Sequence, residues 1–203
     1  MKKAVLIALV LFSLGLTLVF LIEEPAPDFT VVDAYGQSFE LSDHRGEVVV
    51  LEFMFTTCPS CLAQTEIFKD VKASYSEGDL TIVSITVSLS DNNTVLRQYS
   101  ESHEAGWVFA TDSENLIETY GVGSVPHTLF IDRSGRVASS YVGVLDEDGV
   151  SRRIDNAMSL MDPIITTTLS VALIAAGIGI LSYIGYSKRD TIRERLFGGA
   201  ESS

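Results

Sequence analysis

A chain of 203 residues, 46% hydrophobic and 20% charged with a formal charge of −13, has room for one ordinary domain with a full core and little more. Its acidic balance argues against a nucleic-acid partner, because a surface of that sign repels phosphate. So large an apolar share points to membrane segments rather than to a wholly water-facing chain.

The first element in chain order is "AVLIALVLFSLGLTLVFLI", residues 4–22, which carries no charge and reaches the ~20 residues that a bilayer-spanning helix needs. Lys2 and Lys3 in front of it would also suit a cleaved signal peptide. No small-x-small cleavage site follows before the acidic "EEPAPD", so the run is read as an uncleaved anchor.

Next, "FTVV" and "QSFEL" flank the turn residues "DAYG" and predict a short hairpin. "VVVLEFMF" is nearly all β-branched, aromatic or otherwise apolar, so it reads as a strand buried on both faces, interrupted only by Glu52. From Pro59 to about Tyr75 apolar Leu62, Ile67, Phe68 and Val71 recur at helical intervals. Pro59 suits the first turn, where its missing amide hydrogen costs nothing.

"LTIVSITV" predicts a second buried strand, "DNNTVLRQYSE" a helix opening on an acidic cap, and "SENLIETYG" a helix ending on glycine. Trp107 and Phe109, between these two helices, are assigned to the core. "HTLFID" and "RVASSYVGV", joined by "RSG", predict an antiparallel hairpin, and "DEDGVSRRIDNAMSLM" a closing helix. The sum is an α/β domain built on a covered mixed sheet.

A second uncharged run, "IITTTLSVALIAAGIGILSYIGY" at residues 164–186, ends the domain, and a basic tail at 187–203 follows with Lys188, Arg189, Arg193 and Arg195. Basic flanks outside both runs place both termini in the cytoplasm and residues 23–163 on the extracytoplasmic face. That segment holds 24 acids against 8 bases, −16 by count.

Both cysteines fall in "EFMFTTCPSC", where a strand gives way to a helix. A sulfur at Cys58 would meet unpaired amide hydrogens and the positive end of a helix dipole, both of which favour the thiolate. Cys61, one turn later, is placed to bond to Cys58 and so to resolve a mixed disulfide formed there. Two other readings of the pair are weaker: a zinc site wants four ligands and only three histidines remain, and a static disulfide closing so small a loop would add little stability.

With these residues in place, the chain resembles the thioredoxin superfamily, and most closely its membrane-anchored TlpA/ResA-like (redoxin) branch of extracytoplasmic thiol-disulfide oxidoreductases. The resemblance rests on "APDFTVVDAYGQSFELSDHRGEVVVLEF", "CPSC", "GVGSVPHTLFIDRSGRV" and "YVG", and covers roughly residues 26–158. It implies a thioredoxin-like fold with an N-terminal hairpin extension, protein thiols and disulfides as substrates, a membrane electron-donor protein as partner, and no cofactor. Pro126 would be a cis-proline facing the cysteines, and Val125 would offer backbone groups to a bound client. Thr57 and Pro59, beside the first cysteine, complete the expected substrate contacts. Glu52 would be the buried acid near Cys61, positioned to take its proton.

The chain departs from this family at Thr57, where tryptophan is usual, at Gln64, where the branch commonly has an acid, and at Glu66, where the helix often has proline. An alternative function is copper binding by Cys58, Cys61 and His127 in the manner of the Sco proteins, whose metal-binding stretch resembles "FMFTTCP". Peroxide reduction fits poorly, because Phe55 and Leu51 stand where peroxiredoxins place the threonine and proline of their motif. His44 and His103 fall in polar stretches and are expected in solvent.

Overall fold

A computed structural model describes residues 25–159. Both apolar runs and the basic tail lie outside these residues. Among the described residues no helix is long and apolar enough to cross a membrane.

Strands β1 (Thr30–Val32) and β2 (Ser38–Glu40) pair antiparallel as the predicted hairpin. Its turn is closed by Asp33, whose carboxylate accepts from the amides of Tyr35 and Gln37, and by Gly36, whose φ of 89° few other residues adopt without strain. A 3-10 turn at Leu41–His44 leads into β3 (Val48–Met54), helix α1 (Pro59–Lys72), β4 (Leu80–Thr86) and α2 (Asn93–Ser102). Then come β5 (Val108–Thr111), the single turn α3 (Leu116–Thr119), β6 (His127–Ile131), β7 (Val137–Val142) and α4 (Glu147–Ser159).

The main sheet has the order β5-β4-β3-β6-β7, with β3, β4 and β5 parallel and β6 and β7 antiparallel to their neighbours. Every residue of central β3 is buried, Glu52 included, as expected of a strand covered on both faces. Alternation along β3 sorts two cores. Val49, Leu51 and Phe53 join the hairpin residues Val31 and Phe39 with Leu116 and Leu129, while Val48 and Val50 join Phe68 and Val71 of α1 and Val150 and Ile154 of α4. Glu52 and Met54 therefore lie on the α1 side of the sheet.

Two elements depart from the sequence reading. Strand β5 is too short, at four residues, for its alternation to register, and Trp107 and Phe109 were assigned only to the core; Phe109 sits within β5 and Trp107 just before it. Helix α2 opens on Asn92 rather than on the acid before it: Asn92 Oδ1 accepts from the amides of Thr94 and Val95. Asp91 turns inward instead, for a reason found at the site.

Candidate active site

The chain leaves β3 at Met54 and passes through Phe55, Thr56 and Thr57 to Cys58, the N-cap of α1. Cys58 keeps extended backbone, φ −85° and ψ 115°, while its Sγ accepts from the Cys61 amide at 3.1 Å and lies 3.2 Å from Ser60 Oγ. A sulfur thus occupies the place that an oxygen usually fills at a helix start, taking one of the amide hydrogens the first turn leaves free. Cys58 and Cys61 form a disulfide with Cα atoms 5.2 Å apart.

The two cysteines are both buried but differ in degree. Cys58 is 5% exposed and Cys61 wholly buried. Both pack in a cluster with Met54, Leu96, Tyr99 and Phe109, against which Phe55, Leu62 and Val125 lie partly covered. Thr57 and Pro59 beside Cys58 are exposed.

The Val125–Pro126 peptide bond is cis, Pro126 is buried, and its carbonyl accepts from the Gly143 amide at 2.8 Å, which ties the β6 approach to the end of β7. Val125 packs on the cluster that contains both cysteines.

Glu52 is wholly buried and its carboxyl titrates at about 8, raised by burial and only partly lowered again by the Ser84 hydroxyl, which donates to Oε2 at 2.8 Å. Ser84 is its register neighbour on β4 and Thr128 on β6. Among the described residues Glu52 Oε1 and the Thr128 hydroxyl are buried without a hydrogen-bond partner. Helix α1 lays Cys61, Gln64 and Thr65, all fully buried, over this face. Gln64 Oε1 accepts from the Leu145 amide at 2.7 Å, an acceptor role that a protonated acid would fill less well. Glu66 pairs with both Lys69 and His103.

The Redoxin family profile matches residues 22–158. The chain belongs to the Redoxin family. The thiol-disulfide oxidoreductase ResA of Geobacillus thermodenitrificans is 25% identical over 164 residues, which cover 76% of this chain and 93% of that protein. ResA of Bacillus anthracis is 28% identical over 123 residues, 60% of this chain and 70% of that one. Among solved structures, a thioredoxin-family thiol:disulfide interchange protein from Chlorobium tepidum TLS shares the fold with a TM-score of 0.61 at 22% identity, over 66% of this chain and 94% of that one. This Redoxin is a thiol-disulfide oxidoreductase.

Three sequence expectations need correction in this Redoxin. His127 shares the β6 face of Leu129 and Ile131 and lies 6.5 Å from the Phe53 ring, on the side of the sheet away from α1. Period two along the strand sends it away from the cysteines, and burial lowers its proton affinity. Among the described residues no group of three or more His, Cys, Asp or Glu could hold a metal ion, so the copper ligand set is not assembled. His44 and His103 are half-buried rather than in solvent: His44 stacks on Phe39 at 4.5 Å and pairs with Glu47, and His103 packs on Tyr99.

Sequence reasoning also missed how the Redoxin's cysteine loop is held. Asp91, nearly buried, accepts from the Thr56 amide at 2.9 Å, the Thr56 hydroxyl at 2.7 Å and the Thr86 hydroxyl at 2.7 Å. One carboxylate thus fastens the residues just before Cys58 to the end of β4. The signal was its place directly before Asn92, which could cap the helix by itself. Replacing Asp91 with Ala is expected to leave the Thr56 amide unpaired and to destabilise the fold by about 2 kcal/mol. Denaturant unfolding checks the stability, and faster hydrogen exchange at the Thr56 amide checks the site of loosening.

Proposed function

We propose that this Redoxin is a two-pass membrane protein whose domain, residues 23–163, works on the extracytoplasmic face, anchored by residues 4–22 and 164–186. There it exchanges disulfides with client proteins, including cysteines awaiting haem, as in cytochrome c maturation, or metal. The uncharged runs and their basic flanks support the placement. The difference between the two cysteines carries the chemistry: Cys58, 5% exposed, caps the helix start with its sulfur, and Cys61 is wholly buried one turn later.

In the reducing direction Cys58 thiolate attacks a client disulfide, forming a mixed disulfide and releasing one client thiolate. Cys61 thiolate then attacks Cys58 Sγ, closing the internal disulfide and releasing the second client thiolate; two electrons pass to the client. The Cys61 amide and the dipole of α1 favour negative charge on Cys58. Glu52 accepts the proton that Cys61 must lose, a role suited to a carboxyl that titrates near neutrality. Thr57 and Pro59, exposed on either side of Cys58, contact the client together with Val125 and Pro126. A membrane electron-donor protein returns the pair to the dithiol.

Insulin disulfide reduction in the presence of a chemical reductant tests the assignment. The full chain in mild detergent is expected to accelerate it, and Cys58→Ser to abolish the acceleration. Equal rates for the two proteins would refute the role of Cys58.

A further inference from the structure

Behind Glu52 stands a chain of donors with a fixed direction. The Trp107 indole nitrogen can only donate, and it donates to Ser84 Oγ at 3.0 Å. Having accepted there, the Ser84 hydroxyl spends its one hydrogen on Glu52 Oε2, 2.8 Å away. Trp107 is itself held in place by stacking on Phe109 at 5.5 Å. The two oxygens of the carboxyl are therefore unlike: Oε2 accepts from the Ser84 hydroxyl, while Oε1 is buried with no hydrogen-bond partner among the described residues.

From this asymmetry we infer that Trp107 and Ser84 are positioning residues for the Redoxin reaction, which fix Oε2 as an acceptor and leave Oε1 as the atom that takes the proton from Cys61 and gives it back. The inference rests on the reading of Glu52 as the proton acceptor. In the transfer, the Cys61 S–H bond breaks and an O–H bond forms at Oε1, leaving a thiolate and a neutral carboxylic acid; reduction of the disulfide reverses it. The Ser84 hydrogen bond favours the ionised carboxylate and so opposes burial, keeping the group able to cycle near neutral pH.

The groups facing Glu52 limit what else could set its titration. Helix α1 contributes Cys58 and Cys61, both in the disulfide when the protein is oxidised. Helix α2 contributes Tyr99, which hydrogen-bonds to Thr65 at 3.0 Å and whose hydroxyl burial pushes up to about 12. Strand β6 contributes Thr128, and α4 brings Arg153, which lies over the Phe130 and Tyr141 rings. In the oxidised protein, Glu52 is thus the group on this face that titrates near pH 8.

The test is a pH titration of the Glu52 carboxyl by carbon-13 NMR in the oxidised full chain in mild detergent, its signal assigned by its loss in Glu52→Gln, together with the pH profile of mixed-disulfide resolution. Ser84→Ala is expected to raise the midpoint of both by about one pH unit. Trp107→Phe, which keeps a ring on Phe109, is expected to raise them by less. The double variant should match Ser84→Ala alone, because Trp107 acts only through Ser84, whereas two merely structural changes would add. If Glu52→Gln leaves the resolution profile unchanged, the proton-acceptor reading fails. If Glu52→Gln removes the pH step but neither Ser84→Ala nor Trp107→Phe moves it, or the two effects add, the relay is wrong and the acceptor reading survives.

Discussion

Replacing Cys61 with Ser is expected to convert the protein from a catalyst into a trap. Cys58, with its 5% exposure and its sulfur at the helix start, still attacks a client disulfide, but the buried position that should supply the second thiolate now holds a hydroxyl that does not displace sulfur. The mixed disulfide then persists, and turnover in an insulin assay should fall by orders of magnitude even though the first step is intact. Mass spectrometry without reductant should find one client peptide per chain on Cys58, removed by added thiol. Cys58→Ser should capture nothing, because Cys61 is wholly buried in the cluster with Leu96 and Tyr99 and meets no client. Adducts on Cys61 in that variant would reverse the order of attack argued here.

How much of this was legible in the sequence depended on whether a signal was local. Strand β3 and helix α1 declare themselves, because a seven-residue run that is apolar but for Glu52 and a proline after a cysteine each have one good structural solution. The redox pair follows from the spacing of Cys58 and Cys61, and the cis bond at Pro126 from family resemblance. What pattern could not supply is tertiary. Ser84 and Trp107 are ordinary residues of a strand and a loop until the β3–β4 register brings one to Glu52 and β5 brings the other beside it. Asp91 looked like a helix cap because a neighbour, Asn92, made that site legible while its own partners, Thr56 and Thr86, lie far away in sequence. The copper alternative leaned on the adjacency of His127 to Pro126, which says nothing of the face, and one step along a strand reverses it.

Glu52 also makes a demand on stability that Glu52→Gln should remove. Burial raises its carboxyl from 4.5 to about 8 against the opposing Ser84 hydrogen bond. Below pH 4.5 the folded and unfolded chains both hold this proton, and the group adds no pH dependence. Between 4.5 and 8 the unfolded chain releases it while the folded chain retains it, so the folded state binds more protons and its stability falls as pH rises. Above 8 both states are ionised and the penalty is complete, on the order of a few kcal/mol. Glu47 and Glu66, whose carboxyls are lowered, act in the opposite sense, but they are the same in both proteins and cancel in the comparison. Relative to the parent, the Gln variant should therefore gain stability steadily from pH 5 to pH 8.5 and hold the gain above that, as read by thermal unfolding of the oxidised chain in mild detergent. Its disulfide exchange should be slower over the same range. Unfolding curves that stay parallel at all pH values would mean that the carboxyl ionises as readily inside the fold as outside it, and a proton acceptor near neutrality would then have to be sought elsewhere.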